Sequence, residues 1–135
     1  MARIVCALAI AMAIGCGGPE TDAASIPEVT GQKPALETLR GRVEADAIYA
    51  QWSRPGCLIY MIEASEPHYY DMVVREKHGS GCPGDAGTSP VVDRFRLYRD
   101  SDTLLWFDVV GDRYLSYPRF KRERGSNTPE ASKRR

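Results

Sequence analysis

A short loop in the middle of the chain holds the residue types that are best able to bind a metal or take part in catalysis. His78, Cys82 and Asp85 lie within eight positions of one another, and imidazole, thiolate and carboxylate groups are ligands for zinc or copper. A metal site here needs a free thiolate at Cys82. If that thiol is oxidised, His78 and Asp85 are too few to hold a metal, so they are weak candidates and we expect no cofactor.

The same loop, Gly79–Gly84, matches the G-x-G-x-x-G pattern of dinucleotide-binding proteins. That pattern binds pyrophosphate because a helix follows it and directs its N-terminal N–H groups at the anion. Here the next periodic segment begins at Val91 and alternates like a strand. The sequence also has no G-x-S-x-G nucleophile elbow, and we expect the protein not to be an enzyme.

The first sixteen residues have the layout of an export signal. Arg3 provides a positive start, residues 4–14 form an uncharged apolar run, and small residues lead directly to Cys16. The run is shorter than the roughly 20 apolar residues that cross a bilayer. The segment resembles a bacterial lipoprotein signal, which implies cleavage before Cys16 and a fatty acyl chain, such as palmitate, on its thiol. The alternatives are an ordinary signal peptide cut near Gly15 or Gly18, or a buried helix.

Residues 16–33 are rich in Gly, Pro, Ser, Thr and acidic residues and predict a flexible tether after the signal of residues 1–15. Gly17 is not the aspartate that typically keeps lipoproteins at an inner membrane, so the resemblance implies the outer membrane, facing the periplasm, in a Gram-negative cell. Export also leaves Cys57 and Cys82 as a pair, and an oxidising compartment predicts one disulfide between them. Such a bridge closes a loop of 25 residues and is expected to contribute roughly 3–4 kcal/mol.

Residues 34–118 predict one α+β domain. A helix is expected from Pro34 to Trp52 because apolar residues recur every three or four positions. Four strand-like runs follow, and the short breaks between some of them predict an antiparallel meander with the helix packed across it. The runs are Cys57–Glu63, expected to be covered on both faces, His68–Lys77, Val91–Arg99, and Leu104–Val110, in which Leu105, Phe107 and Val109 oppose Trp106 and Asp108. Tyr114–Phe120 can add an edge piece.

The formal net charge of zero hides an asymmetry along the chain. Residues 16–118 carry ten Lys and Arg against sixteen Asp and Glu, a net of −6, whereas residues 119–135 carry seven against two, a net of +5. The second segment is expected to be a basic disordered tail, since it holds little that packs in a core. Such a tail can contact anionic lipid or peptidoglycan, and an exported chain is expected not to bind nucleic acid.

The outward face of the second and third strands carries the strongest candidates for binding. Arg75 and Lys77 alternate along one strand, and Arg94, Arg96 and Tyr98 alternate along the next. Together they predict a basic, partly aromatic patch that can bind an anionic polymer or an acidic envelope protein. The alternative is that acidic residues across the strands neutralise these cations as ordinary surface pairs. The acidic residues concerned are Asp71, Glu76 and Asp93.

The segment from Tyr69 to Asp108 carries a second resemblance. A Tyr-Asp-Met-Val-Val-Arg-Glu-Lys-His run leads through a loop of Gly, Cys and Pro to Arg94-Phe95-Arg96 and Leu105–Asp108. It resembles small uncharacterised envelope lipoproteins, and its last hairpin looks like the strand-turn-strand of PepSY-type or cystatin-like α+β modules. The resemblance implies a non-catalytic binding or inhibitory module that meets the membrane through its lipid, without naming a ligand. The alternatives are a structural or assembly accessory of the envelope and, less favoured, a metal-dependent enzyme.

Overall fold

Two helices and five strands make up the part of the chain that the computed structural model describes, residues 30–51 and 53–125. Their bounds are Gln32–Ala45 for α1, Leu58–Ser65 for β1, Tyr69–Glu76 for β2, Val91–Tyr98 for β3, Leu104–Asp108 for β4, Arg113–Ser116 for β5 and Tyr117–Gly125 for α2. The expected signal, the acylated Cys16 and most of the tether lie outside the described residues. The architecture is α+β, as the sequence predicts.

The five strands form one antiparallel sheet in which each strand pairs with the next along the chain. Short loops join β1 to β2, β3 to β4 and β4 to β5, so these neighbours form hairpins. The sheet has five strands, whereas four were expected. The additional strand is β5, which pairs with β4 at the edge and overlaps the segment Tyr114–Phe120 that the sequence offered as an edge piece. β1 lies at the opposite edge and is not covered on both faces, since Met61 remains 46% exposed.

Both helices pack on one face of the sheet, and the core lies between them. Phe120 of α2 meets Phe95 of β3 edge to face with 5.1 Å between the ring centroids, and its ring lies 5.3 Å from that of Trp106. Leu39 of α1 is fully buried in the same cluster. The main residues of the core are Leu39, Val43, Tyr70, Met72, Val74, Phe95, Leu97, Leu104, Trp106 and Phe120. The helices therefore leave the other sheet face uncovered.

Helix α1 ends at Ala45, well before the end expected from the apolar spacing. Ala47 takes a left-handed φ of 50°. Its N–H donates to the Glu44 carbonyl at 3.0 Å, and the N–H of Ile48 donates to the Val43 carbonyl at 3.2 Å. These two bonds form a Schellman motif, which satisfies the carbonyl groups at a helix end. Glycine is the usual residue at the left-handed position, so an alanine there gave no stop signal in the sequence.

Cys57 and Cys82 form the expected disulfide, with their Cα atoms 5.6 Å apart. The bridge ties the residue before β1 to the loop between β2 and β3. Glycines in that loop adopt turn conformations, and at Gly84 an added Cβ would lie 2.5 Å from the ring of His78. The element that follows the loop is β3 and not a helix. The glycines of the G-x-G-x-x-G match therefore allow tight turns with positive φ and do not form a dinucleotide-binding loop.

A buried carboxylate joins several elements on the helix-covered side. The Asp93 side chain is only 3% exposed, accepts hydrogen bonds from the Tyr49 hydroxyl and the Trp106 indole N–H, each at 2.8 Å, and pairs with Arg124. Burial, reinforced by the Asp93 charge, raises the pKa of Tyr49 well above its usual range. Asp93 is thus a core group, whereas the sequence had placed it among the surface pairs.

Helix α2 occupies residues expected to end the domain and begin the tail. Tyr117 and Phe120 are buried against the sheet, and Lys121 pairs with Asp46 at the end of α1. This hydrogen bond is the main reason why the pKa of Asp46 is lowered. The basic tail expected from residue 119 therefore starts no earlier than residue 126, and residues 126–135 lie outside the described part of the chain.

Candidate binding surface

The uncovered side of the sheet, which we call the open face, gathers aromatic, apolar and basic side chains from all five strands. Strand alternation places every second residue on this side, and the register sets their neighbours, with Asp71 opposite Arg96 and Tyr69 opposite Tyr98. The open face includes Ile59, Met61, Glu63, Tyr69, Asp71, Val73, Arg75, Arg94, Arg96, Tyr98, Leu105, Phe107 and Tyr114, and among these Val73 is buried beneath its neighbours.

Arg96 lies at the centre of the open face and is held on several sides. Its guanidinium donates to both carboxylate oxygens of Asp71, at 2.7 and 2.8 Å. The same group lies over the rings of Tyr69 and Tyr114, 3.8 and 4.4 Å from their centroids. The Asp71 hydrogen bonds are the main cause that raises the pKa of Arg96 further above its usual range. The result is a pre-ordered layer in which two tyrosine rings enclose a neutralised cation.

The sequence-predicted basic patch is only partly assembled. Arg94, Arg96 and Tyr98 share the open face, and Arg94 pairs with Glu63 at 3.1 Å. Arg75, opposite Ile59, lies on the same face near the end of β2 and donates to the Ser89 carbonyl at 2.6 Å, whereas Lys77 lies beyond the end of β2, beside the disulfide. The two central cations, Arg94 and Arg96, thus have carboxylate partners, which reduces the attraction of the face for an anionic polymer.

The sequence analysis missed several residues of this surface. Tyr69 and Tyr114 were not singled out, yet both rings contact Arg96. Leu105 and Phe107 lie on the open face, because Leu104 and Trp106 take the core positions of β4. The alternation of β4 was visible in the sequence, but which of its two sides faces the core follows from the pairing of Trp106 with buried Phe95.

The loop candidates for metal binding have other roles. His78 contacts Glu76 through Nε2 at 2.9 Å and Thr88 through Nδ1 at 2.7 Å, while Asp85 Oδ1 accepts from the backbone N–H of Gly87 at 2.9 Å. No group of three or more His, Cys, Asp and Glu side chains is placed to hold a metal within residues 30–51 and 53–125.

The order of carboxylate, imidazole and hydroxyl in Glu76, His78 and Thr88 is that of a nucleophile-activating relay. The Thr88 hydroxyl, however, also donates to the Asp85 carbonyl at 2.8 Å. With its proton used there, His78 Nδ1 must act as the donor to Thr88 and cannot accept a proton from it. The three side chains therefore fasten the loop to the end of β2.

Two general findings complete the description of the molecule. In the part of the chain that the structure covers, no helix is both long and apolar enough to cross a bilayer. Comparisons of the chain with protein-family models, curated proteins and solved structures gave no match.

Proposed function

We propose that this chain is a non-catalytic binding module of the cell envelope whose open face docks a protein partner. The observation that carries the proposal is the layer of aromatic and apolar side chains that neither helix covers. Tyrosine, phenylalanine, methionine and arginine are the residue types enriched in the cores of protein interfaces. Lipid attachment at Cys16 and export are parts of the same proposal, supported by the sequence of the signal and by the disulfide.

Pre-ordering favours recognition by this face. Arg96, Tyr69 and Tyr114 hold one another in place, and Tyr98 packs edge-on against Tyr69 with 6.0 Å between ring centroids. Side chains already fixed in the free protein lose less conformational entropy when a partner binds. Met61, at the edge of the same face, supplies an adaptable apolar contact. A protein surface is favoured over an anionic polymer because Asp71 and Glu63 neutralise the central cations Arg96 and Arg94.

Site-specific photo-crosslinking in the native envelope tests the docking face. A photoreactive residue at Met61 or Tyr98 is expected to capture a defined protein, and the same residue at Glu37 on α1 is expected to capture none. The captured protein, purified, should bind the unmodified chain and lose at least about tenfold in affinity for a Phe107→Ser variant. A Glu37→Ser variant is the matched control and should bind unchanged.

Capture from Glu37 as readily as from Met61, or an affinity that Phe107→Ser leaves unaltered, would contradict the docking face. The alternative role of structural or assembly accessory predicts a stable membrane complex that co-purifies with the chain without crosslinking. Intact-mass measurement of the membrane fraction tests the anchor separately, because acylation at Cys16 adds a lipid mass to a chain that begins there. An unmodified full-length chain would rule the anchor out.

A further inference from the structure

A cleft of about 370 Å³ lies beside the disulfide, away from the open face, between the segment that follows α1 and the end of β2. Its walls include Gln51, Ser53, Arg54, Cys57, Lys77 and His78. Backbone hydrogen bonds fix these segments against each other. Lys77 N–H donates to the Cys57 carbonyl at 2.8 Å, and Cys57 N–H donates to the Arg54 carbonyl at 2.8 Å. The size is in the range of small-molecule sites, which is about 300–1,000 Å³.

The charges that line the cleft are predominantly positive and are not neutralised locally. Within the described residues neither Arg54 nor Lys77 forms a salt bridge, whereas most other arginines of the fold have an acidic partner. The one carboxylate on the wall, Glu76, is directed at Nε2 of His78. An anion that enters the cleft therefore meets two available cations and little repulsion.

We propose that this cleft binds the oxyanion group, phosphate or carboxylate, of a small molecule. A guanidinium presents a planar set of N–H donors that matches two oxygens of such a group, and an ammonium adds a compact positive charge. Arg54 and Lys77 provide these two groups. The inference does not depend on the docking role of the open face.

The far wall of the cleft is held by the disulfide and by the fastened loop. Pro83, next to Cys82, lines the cleft directly. His78 is fixed by Glu76 and Thr88, and the glycine at position 84 lets the loop pass close to its ring. This wall is thus fastened by a covalent bond and by side-chain hydrogen bonds in the free protein, so we expect binding to require little reordering.

Amide chemical-shift titration of the full chain with inorganic phosphate, and separately with acetate, tests the site. Chloride is used to match the ionic strength. We expect saturable shifts confined to residues 51–57 and 77–83, with one of the two anions favoured, which would identify the oxyanion class. An Arg54→Ala, Lys77→Ala double variant should bind at least about tenfold more weakly. Arg122→Ala, which removes an exposed cation on α2, should leave the titration unchanged.

Reduction of the disulfide gives a second readout. We expect the reduced chain to lose the saturable response because Pro83 and the loop are released. Unchanged amide chemical shifts of the sheet residues would show that the reduced chain keeps its fold. Shifts that never saturate, that spread over all exposed cations, or that survive in the double variant would overturn the proposal. Loss of phosphate and acetate binding has no bearing on crosslinking from Met61. The proposed anion site and the proposed docking face can therefore be refuted independently of each other.

Discussion

Two aspartate–arginine pairs, whose aspartates lie on the adjacent strands β2 and β3, show how burial changes the role of the same two residue types. Asp71 and Arg96 meet on the open face, where each side chain keeps about a fifth of its surface exposed. Asp93 is enclosed and accepts from two neutral donors besides Arg124. Hydrogen bonds to a charged group that keeps some contact with solvent contribute about 1.5–3 kcal/mol, whereas removal of one partner from a fully buried pair costs about 3–5 kcal/mol. The same substitution should therefore have unequal effects at the two sites.

Asp93→Asn is expected to lower the free energy of unfolding by about 3–5 kcal/mol, because Arg124 loses its counter-charge and the Tyr49 and Trp106 donors lose their charged acceptor. Asp71→Asn is the matched control and should lower it by a smaller amount, about 1.5–3 kcal/mol, because the pair keeps contact with solvent. Urea unfolding at neutral pH measures both values. Equal losses would contradict the structural role assigned to Asp93.

At the scale of elements, α1 carries two residues whose backbone preferences oppose their positions. Gly41 lies in the interior of the helix, with no atom within 4 Å of the place where a Cβ would be. Ala47 occupies the left-handed position just after the helix, where its φ is 50°. Glycine inside a helix costs about 1 kcal/mol relative to alanine, and an L-residue in the left-handed region costs roughly 1–2 kcal/mol.

Opposite substitutions at these two positions are therefore both expected to stabilise the fold. Gly41→Ala and Ala47→Gly should each raise the free energy of unfolding by about 1 kcal/mol, which corresponds to a rise of roughly 4–8 °C in Tm for a domain of this size. Thermal unfolding followed by circular dichroism measures the change. If Ala47→Gly lowered the Tm, the helix would not end in the Schellman motif described.

At the scale of the molecule, residues 30–51 and 53–125 form a single sheet with helices on one side, and the disulfide secures the end with the longest loop. The bridge joins the chain just before edge strand β1 to the loop between β2 and β3. It therefore restrains both the outermost strand and the wall of the cleft. In the chain-entropy account, a disulfide that closes a loop of 25 residues contributes roughly 3–4 kcal/mol to the free energy of unfolding.

A Cys57→Ala, Cys82→Ala double variant is expected to lose roughly this amount of stability in denaturant unfolding. The unmodified chain should show the same loss when unfolded under reducing conditions. Cys16→Ser, which leaves the bridge intact, is the control and should unfold like the unmodified chain. A reduced chain as stable as the oxidised one would show that packing alone holds β1 in place.

Local patterns in the sequence determined much of the architecture. Alternation identified β2 and β3, the expectation of export together with two remaining cysteines predicted the disulfide, and short breaks identified the meander. These features depend on neighbouring residues or on covalent chemistry, so they can be read without knowing the rest of the fold. The proposed docking residues Arg94, Arg96 and Tyr98 came from the same alternation.

Other features depend on contacts between distant segments, and only the tertiary structure decided them. The sequence around Tyr117 and Phe120 is rich in basic residues, and it becomes α2 because the Phe120 ring packs on Phe95 and Trp106 of the sheet while Tyr117 packs on Phe120. Asp93 becomes a core group because Arg124 and Trp106 reach it from other elements. Periodicity tells which residues share a side of an element, but which side is covered depends on what packs there, and that is a property of the assembled chain.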